Sequence, residues 1–239
     1  MKRIITTAVF LVFSTISANA IDKSSFEVFS LTGGIATSQS VWGASAREKN
    51  FSDTNVLAHN KRASGVFTDG YGSQFVELGI GRFISLGYEH TPDSISTPEI
   101  VTNENMANQN KVKVDFNDLD TLYVKLNIPG GIYLKAGSVE TDVDIKEVSA
   151  SGATYNNKST SGSMIGAGYQ KLIGDTGFGF RFEGSYMELD NVTTTNGSGT
   201  ANNADGTTTG GGLNSITAKN LEGLAAKVAL TYTFGRNGN

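Results

Sequence analysis

The chain has 239 residues, with 19 Lys and Arg against 23 Asp and Glu, two His and no Cys. The missing cysteine excludes disulfides, thiolate metal sites, catalytic thiols and a lipid-anchored N-terminal cysteine. The acidic balance argues against nucleic acid, whose binders carry a basic patch.

The first element is a leader. Lys2 and Arg3 form a positive start, residues 4–13 are apolar apart from Thr6 and Thr7, and Ala18-Asn19-Ala20 is a small-x-small site. This pattern predicts a secretory signal peptide over 1–20, cleaved after Ala20. Its apolar run is well short of the ~20 residues that a spanning helix needs. The mature chain, 21–239, would carry 17 bases against 23 acids, a net charge of −6. With no later apolar run of helical length, helical membrane spans are not expected.

From there the signal is alternation with period two, and eight segments carry it. In 26–38, Phe29, Leu31, Gly33 and Ile35 share a face. In 72–80, Val76, Leu78 and Ile80 do, and in 82–91, Ile84, Leu86 and Tyr88. In 119–128, Leu122, Val124, Leu126 and Ile128 alternate with Tyr123, Lys125 and Asn127. Segment 131–146 has Ile132, Leu134 and Ala136 on one face, and 162–173 has Ile165, Ala167 and Tyr169. In 177–191, Phe178, Phe180, Phe182 and Tyr186 alternate with Gly179, Arg181, Glu183 and Ser185. In 221–234, Ala226, Val228, Leu230, Tyr232 and Phe234 alternate with Lys227, Ala229, Thr231 and Thr233.

The links sort by length. Gly81-Arg82, Pro129-Gly130-Gly131 and Gly174-Asp175-Thr176-Gly177 have tight-turn chemistry. The other four links, 39–71, 92–118, 147–161 and 192–220, are long and polar. All three prolines, Pro92, Pro98 and Pro129, fall in links, as sheet hydrogen bonding requires. Strict alternation of short and long links fits a transmembrane barrel with periplasmic turns and longer outer loops. The expected fold is therefore all-β: a single antiparallel up-and-down transmembrane β-barrel of about eight strands over 21–239. Weak strand character in 41–47 and 64–68 leaves ten strands as an alternative.

In this reading the apolar faces meet lipid. Phe178, Tyr232 and Phe234 are expected in an aromatic girdle at the inner rim, and Trp42, Tyr88 and Tyr186 at the outer. Glu77, Glu89, Lys125, Lys135, Arg181, Glu183 and Lys227 are placed on the opposite, lumenal faces. An eight-stranded lumen is just wide enough for side chains, so these charges are expected to pair and plug it; a selective polar pore is the alternative.

The last segment reads Lys227-x-Ala229-x-x-Tyr232-x-Phe234, or polar-x-small-x-x-aromatic-x-aromatic. This resembles the terminal-strand signal read by barrel-assembly machinery, with Ala229 in the usual glycine place and a five-residue tail after Phe234. With leader, alternation and terminal strand together, the mature chain resembles the small outer-membrane barrels of the OmpA, OmpX and Opa type. The resemblance covers architecture. It implies a Gram-negative outer-membrane location, partnership with outer-membrane lipid and the assembly machinery, and roles as adhesin, envelope-stabilising protein, weak pore or, less often, lipid-modifying enzyme.

Catalytic signals are few. His90, followed by Ser94, is a conceivable base and nucleophile pair at the outer rim; His59 sits in a polar stretch beside Lys61 and Arg62. Asp115, Asp118 and Asp120 are oxygen ligands of the kind that Ca²⁺ takes, and equally a solvated acidic rim. The stretch 192–220, with its Thr and Gly runs, offers a receptor target or a spacer. No enzyme, cofactor or metal is assigned. The expected role is structural or interactive, through an extracellular ligand or receptor at the outer loops; a porin-like channel for ions or small solutes is the alternative.

Overall fold

A computed structural model of the chain describes residues 29–51, 57–93, 95–105, 108–148, 155–195, 201–202, 208–209 and 215–235. The leader over 1–20 lies outside them. Among the described residues there are thirteen strands: β1 (Phe29–Phe51), β2 (Leu57–Ile80), β3 (Ile84–Thr91), β4 (Ile95–Ser96), β5 (Ile100–Asn105), β6 (Asn108–Asn127), β7 (Ile132–Val148), β8 (Lys158–Leu172), β9 (Phe178–Leu189), β10 (Val192–Thr195), β11 (Ala201–Asn202), β12 (Thr208–Thr209) and β13 (Ser215–Gly235).

Eight of them form the wall, in the order β1-β2-β3-β6-β7-β8-β9-β13, and β13 pairs back onto β1 to close it. All these pairings are antiparallel. The circuit can be walked through outward residues: Leu31, Leu78, Leu86, Val124, Ala136, Ile165, Tyr186, Leu224 and then Val41. It returns to β1 ten residues further along. That stagger tilts the strands by roughly 40° to the barrel axis and sets the bore. A row of paired neighbours therefore climbs obliquely around the wall.

The short turns carry the φ values their sequences imply. Gly130 and Gly131 have φ of 92° and 89°, a region closed to most L side chains. The stretches read as long links are largely strand. β1 and β2 pair continuously out to Phe51 and Leu57, so 41–47 and 64–68 lengthen two strands and add none. The count is eight. β6 likewise reaches back to Asn108, and β10 and the start of β13 occupy the last long link.

Two bulges mark where the barrel changes character. Asn117 pairs with Asp142 but Asp120 with Glu140, and Asp118 has φ 50°. Gly43 pairs with Glu222 but Ser45 with Lys219, and Asn220 has φ 51°. Asp and Asn tolerate this region. Each extra residue reverses which side chains of its strand point inward.

Below the bulges the wall is apolar outside and polar inside. Ile84, Leu86, Leu122, Val124, Leu126, Ile132, Leu134, Phe178, Phe182, Val228 and Leu230 are exposed on the outer face. Above them the interior becomes a hydrophobic core containing Trp42, Phe67, Phe116, Val143, Leu189, Val192 and Leu221.

Candidate functional site

The lumen holds three stacked environments. At the inner mouth a polar cavity of about 220 Å³, lined by Ser30, Thr32, Ser85 and Asn127 among others, ends on Lys125 and Gln170. Above it lies a buried ionic cluster of four bases and three acids.

In its inner tier, Glu77 accepts from Arg181 Nη1 at 2.8 Å and Nη2 at 2.7 Å, from the Tyr123 hydroxyl at 2.8 Å, and from Lys125. Gln170 Oε1 accepts from Arg181 Nη2 at 2.7 Å and from Lys125 Nζ at 3.2 Å. The guanidinium lies 4.5 Å from the Phe75 ring centroid. The two parallel donors of Arg match the carboxylate edge, the strongest arrangement such a pair can take.

In the tier above, Glu89 accepts from Lys135 Nζ at 2.9 Å, from Ser73 Oγ at 2.7 Å and from Lys227. Glu183 accepts from the Tyr133 hydroxyl at 2.8 Å and from Lys135 and Lys227, each at 3.2 Å. The tiers are joined by Tyr123, whose hydroxyl reaches Glu77 while its ring carries the Lys135 ammonium 3.9 Å from its centroid. Small neighbours make room for that ring. A Cβ at Gly87 would sit 2.3 Å from Tyr123 Cζ.

Thus Glu77, Glu89, Lys125, Lys135, Arg181, Glu183 and Lys227 all point inward and meet. Gln170, Tyr123, Tyr133 and Ser73 complete the network. Sequence alternation puts Tyr123 and Gln170 on inward faces, but nothing in their spacing marks them as partners of particular charges. Between the upper tier and the core above lies a space of about 10 Å³, beside Tyr71 and Met187. That is at or below the volume one water molecule needs.

The outer end is apolar. A vestibule of about 320 Å³ is lined by Ala44, Phe67, Val114, Phe116, Val143 and Ile216, with other small and aliphatic residues. It borders a seam in the wall. Above Gln74, β2 has no ladder partner on its second edge among the described residues. Two carboxylates bridge the gap instead: Asp69 accepts from the Ser96 N–H at 2.8 Å, and Asp93 from the Gly72 N–H at 3.1 Å. Ser64, Gly65 and Val66 on one side of the seam, and Thr97 and Pro98 on the other, line the vestibule.

Trp42 departs from the expected girdle. It points inward, is 3% exposed, stacks on Phe116 with centroids 6.5 Å apart, and donates from Nε1 to Ser40 Oγ. Its strand runs beyond the membrane-facing band, so its even-numbered residues stay inside. Tyr88 and Tyr186 do lie on the outer wall. Phe178, Tyr232 and Phe234 meet edge to face at the inner rim, at 4.8 Å and 4.5 Å. On the terminal strand, Lys227 and Ala229 are buried inward, and Tyr232 and Phe234 face out.

The three aspartates are separated. Asp115 is buried against Ser96, Lys113 and Lys146. Asp118 is the bulge residue, and Asp120 accepts from Tyr88 and His90 on the lipid side. Among the described residues no group of three His, Cys, Asp or Glu is placed to hold a metal. The side chains of His59 and Ser94 lie outside the described residues.

A closed eight-stranded antiparallel barrel, apolar outside and ionic within, defines the chain as an outer-membrane β-barrel. A solved structure agrees on the fold. The chain is similar to the outer membrane protein OprG of Pseudomonas aeruginosa at 12% identity and TM-score 0.51, covering 87% of this chain and 96% of that one. It also matches the outer membrane protease OmpT of Escherichia coli, at 11% identity, 85% and 97% coverage and TM-score 0.44. The outer membrane protein AlkL matches at 10% identity, 87% and 92% coverage and TM-score 0.43. At this identity the likeness to OprG speaks for the fold alone. No family model and no curated protein matches the chain.

Proposed function

We propose that this protein is a non-enzymatic outer-membrane barrel that works from its outer end, taking up small apolar molecules in the vestibule above a closed lumen. The observation that carries this reading is the stacking of environments. An apolar vestibule of about 320 Å³ lies over an ionic cluster, with about 10 Å³ between that cluster and the core above.

A path for ions would have to break Arg181–Glu77 and Lys227–Glu89 together. An apolar ligand need break neither, and a space of this size with a mainly apolar lining suits it. The seam between β2 and β4 gives the vestibule a side opening. In this reading the leader is cleaved after Ala20, and the assembly machinery reads Lys227, Ala229, Tyr232 and Phe234 during insertion.

Two measurements test the proposal. Purified protein in planar bilayers should give no large, stable conductance, and Lys125→Ala should alter stability before ion selectivity. The fluorescence of N-phenyl-1-naphthylamine should rise on binding to the wild type, and the rise should be lost in Val143→Trp, which fills the vestibule. A stable conductance whose selectivity follows Lys125 or Arg181 would favour the channel instead.

A further inference from the structure

Among the described residues, the lipid-facing wall is built mainly of aliphatic, aromatic and small residues, and one row of linked polar side chains interrupts it. Gln74 of β2, His90 of β3 and Asp120 of β6 are successive partners in one row, all on the outward face. The row continues to Glu140 and Ser161 in one direction and to Ile35 in the other. Because paired rows climb obliquely, this one descends from the outer edge into the apolar band and ends there.

The polar groups are organised. The Tyr88 hydroxyl donates to Asp120 Oδ1 at 2.7 Å, and His90 Nδ1 donates to the same oxygen at 2.7 Å. The His90 and Asp120 side chains are 18% and 15% exposed. Ionisable side chains at membrane depth are costly, and as a rule mark a functional site.

Directly below the row lies a groove of about 710 Å³ in the outer wall. Gln74, Tyr88 and His90 stand at one end, Gly33 forms the floor, and Phe178 and Tyr232 flank the other end. The groove is continuous with the lipid-facing band, so its occupant is a hydrocarbon chain.

We propose that Gln74, His90 and Asp120 head a site for one outer-leaflet lipid. Its acyl chain lies in the groove over Gly33, and it carries a hydroxyl or amide N–H close to that chain. With Nδ1–H committed to Asp120, Nε2 is the ring nitrogen left to a ligand, and in the neutral ring it accepts. Asp120 Oδ2 and Gln74 Oε1 accept as well, and the Gln74 amide nitrogen is the one donor beside them. With acceptors in the majority, the site favours a lipid that donates. Asp120 opposes a phosphate at this position, so an anionic headgroup would lie further out.

The test uses the full chain in detergent and native mass spectrometry, with ceramide or dioleoylphosphatidylcholine added at equal concentration. Ceramide has an amide N–H and hydroxyls beside its chains; the phosphatidylcholine has no donor. Ceramide should be retained at least about fivefold over phosphatidylcholine, the factor that one or two hydrogen bonds supply.

His90→Phe and Gly33→Leu should each abolish the preference. The second is benign to the fold, because a Cβ at Gly33 meets nothing within 4 Å. If His90→Phe loses the heat-modifiable migration of a folded barrel, Gln74→Leu tests the same row. Equal retention of the two lipids by the wild type would overturn the proposal, and so would a preference that survives Gly33→Leu in folded protein.

Discussion

Replacing Glu77 by Gln tests whether the inner tier is a dry, mutually neutralising cluster. The carboxylate is 2% exposed and accepts from Arg181 twice, from Lys125 and from Tyr123. The lumen holds four bases against three acids, so the substitution raises the local charge from +1 to +2 and leaves two cations facing a neutral amide. Removing one partner of a buried ion pair costs about 3–5 kcal/mol, because the remaining charge stays desolvated. For a chain of this size each kcal/mol lowers the melting temperature by about 2–4 °C, which predicts a fall of about 6–20 °C. The assay is the temperature at which the compact, heat-modifiable band converts to the unfolded one on electrophoresis. Adding Lys125→Met removes the surplus cation and should recover at least half of the loss, a non-additivity expected of contacting residues. A melting temperature within about 2 °C of wild type in Glu77→Gln alone would refute the reasoning, since surface-like ion pairs contribute that little.

Further outcomes follow from other parts of the molecule. Trp42 is the chain's single tryptophan and faces the interior, so its emission should be blue-shifted and resist quenching by brominated acyl chains; strong lipid quenching would put it back on the outer wall. Gly87→Ala should abolish the heat-modifiable folded band, because the Tyr123 ring beside it is held by Glu77 and cannot move away. At Asp115, outside the membrane, burial pushes the carboxyl up, but hydrogen bonds from Lys146, Ser96 and Lys113 outweigh that and hold it below its ordinary value. A carboxyl lowered by folding adds stability above its unfolded value and loses it as pH falls. The gap in urea midpoint between wild type and Asp115→Asn should therefore be full at pH 7 and close below about pH 4; a gap unchanged at pH 3 would contradict this.

Much of the wall was legible in the sequence, because a strand between lipid and a polar lumen must alternate. Leu122, Val124 and Leu126 against Tyr123 and Lys125 leave little choice of face. The turns were equally legible, since Gly130 and Gly131 adopt φ values that few other residues reach. The alternation stops at Asp118 and Asn220 for a physical reason. At each a bulge reverses the parity of the strand, so a period-two pattern read across it contradicts itself. Hence Phe116 and Val114, which line the vestibule, fell in a stretch read as loop. Trp42 was misplaced for a related reason: β1 continues well beyond the outward face assigned to it, and a lone aromatic in polar sequence resembles an interface anchor. The pairing of Glu77 with Arg181, 104 positions apart, depends on the stagger of the whole circuit, which no local pattern encodes. Nor does local pattern place His90 beside Asp120.

The two bulges also bear on how such a chain could change over time. On β6 and β13 a single surplus residue lets one uninterrupted strand belong first to a membrane protein and then to something built like a water-soluble one, greasy within and charged without. Deleting Asp118 would leave the same side chains in nearly the same order and turn Val114 and Phe116 toward water. The boundary between the two solvents is therefore set at one backbone position on each of these strands. Lengthening or shortening the part that stands in water would then require no change below that position.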